Sequence, residues 1–492
     1  MHFEDILRSL GEFGFYQKRL YLLLCIPAIS TGCYMMMLVF VMEPPDHRTI
    51  PDSDNSLHKY NQCYMYRYNN ISSVYDGGNR TLVKCIEWVY DKSVFKETFT
   101  SKNNLVCDDK LKTSHAQMVF YFGVLVGDLS FGILSDTIGR KKTFTITVFI
   151  VLASALGVAW APEFYSFCVL EFIVGAAHHG AFMICCVLGI EMVGPSKRAW
   201  AGILIHAFFT TGLVYLSGIA YFFRNWQYVQ LAVAAPFIPE SPRWLISQRK
   251  YDEAEKIIQK AAKTNKVNIP KKTVDSETII TRTEGRVWQI VISMVYYGVT
   301  MHTGDLGGDF YLNFFILAVI EYPGRVLTIA LLDRLGRKKL HCLCMLTGGF
   351  ACLGTIFSVT FGGDGKFGAA AAFGTVYIYS LELFPTVVRN GGMGLSSCIA
   401  RLGGMAAPYV AKSGDLVGGD FGQALPLVIF GGCSVSAGLL SMLLPETLNQ
   451  KLPDTIEDAQ VFGKYVIHVI IYQNYHFPNK RRNKEENGAL CY

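Results

Sequence analysis

Charge is scarce in this 492-residue chain: Asp, Glu, Lys and Arg make up 17% of it, while 51% is hydrophobic. Soluble domains carry roughly a quarter charged residues. The deficit excludes disordered, fibrous and small disulfide-scaffold classes, and it leaves more apolar surface than one ordinary soluble core can hide. A Walker phosphate loop is missing, and so are His-Glu-x-x-His and paired Cys-x-x-Cys zinc sets. These absences predict a protein that is not an enzyme, uses no cofactor or metal, and does not couple directly to ATP. No basic, aromatic-interleaved groove is present, so the net charge of +6 points to loop orientation and not to nucleic acid. The N-terminus carries Glu4, Asp5 and Glu12 in place of the basic region and cleavage site of a signal peptide, so it is expected to be retained.

Long apolar windows fill the space that charge leaves. They run over 20–41, 115–134, 144–161, 164–190, 199–223, 287–301, 311–332, 340–361, 367–384, 390–411 and 424–444. Most suffice to cross a hydrocarbon core of about 30 Å at 1.5 Å per residue. A weak window over 226–238 brings the nominal number to twelve, but its length falls well short of the apolar thickness, so the sixth span is defective. The expected organisation is a cytoplasmic N-terminus (1–19), a six-helix half (20–238), a central cytoplasmic loop (239–286), a second six-helix half (287–445) and a cytoplasmic tail (446–492).

Basic clusters in the short loops set the orientation: Arg140-Lys141-Lys142, Lys197-Arg198, Arg337-Lys338-Lys339 and Arg389 are all cytoplasmic if both termini are. The long segment 43–114 then lies outside, with acceptor triplets at Asn70 and Asn79. Three cysteines of that segment, Cys63, Cys85 and Cys107, allow one disulfide and a spare thiol, and the spacing does not choose the pair. Most other cysteines sit in apolar runs and are expected to pack as small hydrophobes.

An internal repeat divides the chain. Asp136-Thr-Ile-Gly139-Arg140-Lys141-Lys142 after the second span is echoed by Asp333-Arg-Leu-Gly336-Arg337-Lys338-Lys339 after the eighth. Glu191-Met-Val-Gly-Pro195 with Arg198 is echoed by Glu382-Leu-Phe-Pro385 with Arg389, and Pro239-Glu240-Ser-Pro-Arg243 by Pro445-Glu446-Thr447. Three echoes in one order indicate two homologous halves around a mid-membrane cavity, the architecture of major facilitator transporters. The acids and cations of these echoes, Asp136, Arg140, Glu191, Arg198, Glu240, Arg243, Asp333, Arg337, Glu382, Arg389 and Glu446, are candidates for a cytoplasmic gate of ion pairs. Alternatively, the basic residues only signal topology.

With these residues in hand, the chain resembles the organic cation, anion and carnitine transporter family of the major facilitator superfamily, of the insect-like organic cation transporter type. The marks are Cys85-Ile-Glu-Trp88-Val-Tyr90-Asp91-Lys-Ser93-Val-Phe95 with Leu105-Val-Cys107, Pro239-Glu-Ser-Pro-Arg-Trp244, Glu382-Leu-Phe-Pro-Thr-Val-Val-Arg-Asn390, and Pro445-Glu-Thr-Leu-Asn449 with Leu452-Pro-Asp-Thr-Ile456. The resemblance implies an all-α fold that moves small organic ions across the plasma membrane, in some members coupled to an ion or counter-substrate gradient.

Arg401 stands among small residues in the eleventh window, where a lone guanidinium costs about 2.5–3.5 kcal/mol and needs a partner or an anionic ligand. The resemblance adds that cation carriers tend to have Asp at this position and anion and carnitine carriers Arg, and that Arg325 falls where anion carriers often have Lys. A carboxylate-bearing substrate is therefore expected, anionic or zwitterionic. Glu321, one turn before Arg325, offers the plainer alternative of neutralising it. Tyr296, Tyr297, Phe373 and Tyr377 are candidates for an aromatic cavity wall; His178 and His179 are expected to pack or to bond to backbone, with pH sensing or proton relay as the alternative. Relatives carry a longer sixth span and a longer lead into the tenth, and the superfamily usually has Arg where Glu171 stands, so a non-transporting binding or scaffold paralogue is one alternative; an organic cation transporter is the runner-up on substrate.

Overall fold

A computed structural model describes residues 13–45, 47–48, 63–68, 80–85, 88–191, 193, 197–233, 288–301, 309–354, 389–414 and 419–442. The long helices are α1 (Phe15–Val41), α2 (Leu111–Ile138), α3 (Arg140–Ala159), α4 (Phe164–Glu191) and α5 (Arg198–Phe223). They are followed by α6 (Trp226–Ala232), α7 (Trp288–Met301), α8 (Phe310–Val319), α9 (Glu321–Leu335), α10 (Arg337–Gly354), α11 (Arg389–Ala411) and α12 (Gly419–Ser441). Every apolar window except 367–384, which lies outside the described residues, thus holds a helix. Six of the described spans are long and apolar enough to cross a membrane. Large apolar side chains on their outer faces are bare, among them Phe149, Trp160, Tyr165 and Phe222. Such a surface suits lipid, not water.

Two features depart from the windows. The sixth span is shorter still than its window: α6 has 7 residues, about 10 Å of helix at 1.5 Å per residue. The eighth is broken at Ile320 into α8 and α9. Pro323 explains the break, because it has no N–H to offer the carbonyl of Val319, the last residue of α8. Glu321 therefore opens a new helix, and Arg325 follows one turn later on the same face.

The internal repeat has a matching backbone. Gly139, between α2 and α3, has φ 105°, and Gly336, between α9 and α10, has φ 88°. Both lie in the left-handed region that a side chain resists, so the two Gly-Arg-Lys-Lys turns bend the chain in the same way at equivalent places in the two halves.

Within the first half α2 packs on α4 and α1 on α5; in the second α7 packs on α11 and α10 on α12. Two seams join the halves, α2 against α11 and α5 against α8 and α9. Strands β1 (His47–Arg48), β2 (Tyr64–Tyr68), β3 (Arg80–Lys84) and β4 (Val89–Tyr90) belong to the 43–114 segment and form two antiparallel pairs, β1 with β4 and β2 with β3. A Cys63–Cys107 disulfide ties β2 to the start of α2. Cys85 is left free and buried, and burial raises the pKa of its thiol. Asn70 and Asn79 lie outside the described residues.

That segment seals one end of the bundle. Arg224 donates from Nη1 to the Ser93 carbonyl at 3.0 Å, and Tyr311 donates its hydroxyl to the Val94 carbonyl at 3.1 Å. Phe95 and Phe40 pack edge-on against Phe310. Both seams are closed there: Lys412 Nζ donates to Thr113 Oγ1 at 2.8 Å across α2–α11, and the Tyr221 and Tyr311 rings meet at 5.8 Å across α5–α8.

Candidate functional site

Two buried charge clusters occupy the middle of the bundle, one on each seam. On the α2–α11 seam the Arg401 guanidinium is 1% exposed. Its Nη1 donates to Tyr297 Oη at 2.6 Å, and its Nη2 meets His179 Nε2 at 2.5 Å. His179 Nδ1 lies 2.5 Å from Asp128 Oδ1, and Asp128 Oδ2 is 3.8 Å from Arg401 Nε. An arginine can only donate, so His179 Nε2 accepts from Nη2, and the imidazole proton sits on Nδ1 and points to Asp128. A neutral histidine between an ionised acid and an ionised base gives both ring nitrogens a partner, while Arg401 Nε stays beyond hydrogen-bond distance of Asp128.

Close backbone approach builds this row. A side chain at Gly127, next to Asp128, would run into the Ala176 carbonyl of α4, so glycine lets α2 and α4 come near enough for Asp128 to reach His179. Gly403, two residues on from Arg401, meets the Ile290 carbonyl of α7 in the same way. That contact brings Arg401 to Tyr297. Tyr121 of α2 completes the wall, its ring 5.0 Å from that of Tyr297 and its buried hydroxyl without a hydrogen-bond partner among the described residues.

On the α5–α9 seam Glu321 is fully buried and accepts from Tyr296 Oη at 2.9 Å and from Thr210 Oγ1 at 2.8 Å. Arg325 Nη2 lies 3.5 Å from the same carboxylate. Its Nε and Nη1 are buried with no hydrogen-bond partner among the described residues. Thr211 of α5 meets the Tyr322 hydroxyl at 2.8 Å beside it. Tyr296 and Tyr297, adjacent on α7, thus reach one cluster each, and their rings lie 5.2 Å apart.

The structure therefore brings together Arg401 with Tyr297, and Arg325 with Glu321 and Tyr296. His178 makes the expected backbone contact, Nδ1 to the Val174 carbonyl at 3.0 Å, but His179 does not: it bridges two charges. Sequence reasoning missed Asp128 and Tyr121, although a lone acid in the second apolar window met the criterion that singled out Arg401. Among the gate residues, Asp136 and Arg140 pair at 3.2 Å across the Gly139 turn. Glu191, Arg198, Asp333, Arg337 and Arg389 fall at or near helix ends. Glu240, Arg243, Glu382 and Glu446, like Phe373 and Tyr377, lie outside the described residues.

Comparison with known proteins identifies the family and the fold. The profile of the family described as "Sugar (and other) transporter" matches residues 85–457. The chain is 37% identical to the Organic cation transporter protein of Drosophila melanogaster, over 94% of this chain and 95% of that one. That alignment spans 530 positions, more than the whole chain, so this chain lacks internal stretches that the relative has. It is 30% identical to the human Organic cation/carnitine transporter 2, over 92% and 93%. Among solved structures, the major facilitator proton:xylose symporter XylE of E. coli superposes with a TM-score of 0.61 at 17% identity, covering 91% of this chain and 99% of XylE, which shows the fold.

Proposed function

The chain belongs to the organic cation, anion and carnitine transporter family of the major facilitator superfamily, and is a multi-pass membrane transporter of small organic ions; from that premise we propose that its preferred substrates are small zwitterions of the carnitine type. The observation that carries the reading is the meeting of Arg401 and Asp128, both fully buried, from opposite halves at one tyrosine-lined centre. A zwitterion matches that pair pole for pole. Its carboxylate suits the planar guanidinium of Arg401, and its ammonium suits Asp128 and the faces of Tyr121 and Tyr297. The spare donors of Arg325 give a carboxylate a second partner. The carnitine named among the activities of the human relative has this chemistry.

In the same reading, transport runs by alternating access in the plasma membrane. Both termini are cytoplasmic, segment 43–114 is outside with Asn70 and Asn79 as glycan acceptors, and the outer end is the one closed here. Asp136, Arg140 and their echoes form the opposing gate. A coupling ion or counter-substrate is a further partner.

Uptake of labelled carnitine, a quaternary ammonium lacking a carboxylate, and an aromatic carboxylate tests the assignment, with Arg401→Asp beside wild type. Carnitine uptake is expected to fall at least a hundredfold in Arg401→Asp. Wild-type uptake of the plain ammonium without carnitine would overturn the assignment in favour of a cation carrier centred on Asp128, a reading that the buried acid and the name of the Drosophila relative favour second. A surface-expressed protein that moves none of the three would be a binding or scaffold paralogue.

A further inference from the structure

Arg401 has a counter-ion within the protein. Its Nη1 and Nη2 are hydrogen-bonded to Tyr297 and His179, its Nε lies 3.8 Å from Asp128, and Arg401, His179 and Asp128 are at most 2% exposed. Taking His179 as neutral, the row has a net charge of zero. Its members come from both halves: Asp128 on α2 and His179 on α4 belong to the first, Arg401 on α11 and Tyr297 on α7 to the second.

We infer that Asp128 is an internal counter-ion that stands in for the substrate carboxylate on Arg401, so that the carrier reorients empty and performs net transport without needing a counter-substrate. The inference rests on the reading above for Arg401 as the partner of the substrate carboxylate.

The argument is electrostatic. A carrier that holds a bare guanidinium at mid-membrane has a costly empty state, because an unpaired charge in low dielectric is strongly disfavoured. Such a carrier turns over only when a substrate neutralises the charge in both directions, which makes it an obligatory exchanger. Here Asp128, held by the His179 Nδ1–H, supplies the neutralising carboxylate from within. A zwitterion exchanges one pairing for two: its carboxylate takes Arg401 as its ammonium takes Asp128, and the net charge of the centre stays zero throughout. Empty and loaded carriers then cross the membrane with equal charge. His179 acts as a positioning residue, since its two nitrogens fix the distance between acid and base.

The test uses the full chain purified and reconstituted in vesicles. At saturating external carnitine, wild type is expected to fill empty vesicles and carnitine-loaded vesicles at rates within about twofold of each other. In Asp128→Asn, exchange is expected to exceed net uptake at least tenfold, and Asp128→Glu is expected to restore the ratio. A ratio unchanged in Asp128→Asn would overturn the inference, whatever happens to the absolute rates.

A second arm needs no transport. Sodium acetate at millimolar concentration is expected to raise the melting temperature of detergent-solubilised Asp128→Asn by several degrees, because a free carboxylate fills the vacated place on Arg401. It is expected to leave wild type and the Asp128→Asn/Arg401→Gln double variant unmoved. Equal acetate shifts in all three, or none in Asp128→Asn, would refute the counter-ion role. A wild type that carries no carnitine sinks the zwitterion reading alone, and the acetate arm still decides the inference.

Discussion

The two buried clusters contain the same groups arranged in opposite ways. At Glu321 and Arg325 the acid and the guanidinium are neighbours on one helix, and the other half contributes the hydroxyl of Thr210. At Asp128 and Arg401 the acid and the guanidinium come from opposite halves and are joined through His179. The first cluster travels with its own half when the halves move. The second ties the halves to each other at the centre, around which they rock while the ends of the α2–α11 seam part. The cross-half pair is therefore the one that holds through the alternation, and the local pair is an element carried along.

Removing the acids separates the two most widely. Asp128→Asn leaves a buried guanidinium without its formal counter-charge, a loss of about 3–5 kcal/mol for a broken buried pair. Glu321→Gln is expected to cost less than Asp128→Asn, because a glutamine carbonyl still accepts from Tyr296 and Thr210. Thermal unfolding of the two variants in detergent checks the order; a larger loss for Glu321→Gln would invert the comparison.

The tyrosines of α7 come next. Tyr297→Phe and Tyr296→Phe each delete one hydrogen bond to an ionised group, worth about 1.5–3 kcal/mol. Similar stability losses are expected from both. Their transport effects should differ, with the KM for carnitine raised more by Tyr297→Phe, whose hydroxyl touches Arg401. Equal KM changes would mean that the clusters serve substrate alike.

Gly403→Ala probes how the cross-half row is assembled. The added methyl meets the Ile290 carbonyl, which belongs to backbone and cannot rotate away. The strain of forcing such an atom in is about 1–3 kcal/mol, and the shift in α11 is expected to reduce carnitine uptake while leaving the Glu321 cluster in place. Unchanged uptake would show that Arg401 reaches Tyr297 without close packing of α7 on α11.

What was legible in the chain follows the same division. The Glu321–Arg325 pair is written in its i, i+4 spacing, and the equivalence of the halves in Gly139-Arg140-Lys141-Lys142 and Gly336-Arg337-Lys338-Lys339, whose glycines share a left-handed backbone. Arg401 stood out as a cation in an apolar helix. Its partners did not, because 222 residues separate Arg401 from His179, and only the packing of α2 on α4 and α11 brings Asp128 to both. Pairing across a seam leaves no local periodicity. Likewise three cysteines in one segment allowed several bonds, and only the fold joins Cys63 to Cys107 and buries Cys85. The break at Ile320 was readable from Pro323 but was hidden inside a continuous apolar window.

The smallest stability effect sharpens the contrast most. Arg325→Lys keeps a positive charge near Glu321 and gives up Nε and Nη1, which have no protein partner among the described residues. Removing donors that have no hydrogen-bond partner among the described residues forfeits no bond seen there, so the melting temperature is expected to change by the equivalent of less than about 1 kcal/mol, within the range of conservative charge-preserving changes. A zwitterion whose carboxylate leans on those donors would feel the change, because a lysine presents a point charge where arginine offers a planar fork. The KM for carnitine is then expected to rise several-fold with kcat nearly constant, the pattern of lost uniform binding. If KM and melting temperature both stay put, Arg325 serves only to neutralise Glu321, and substrate recognition falls to the cross-half cluster alone.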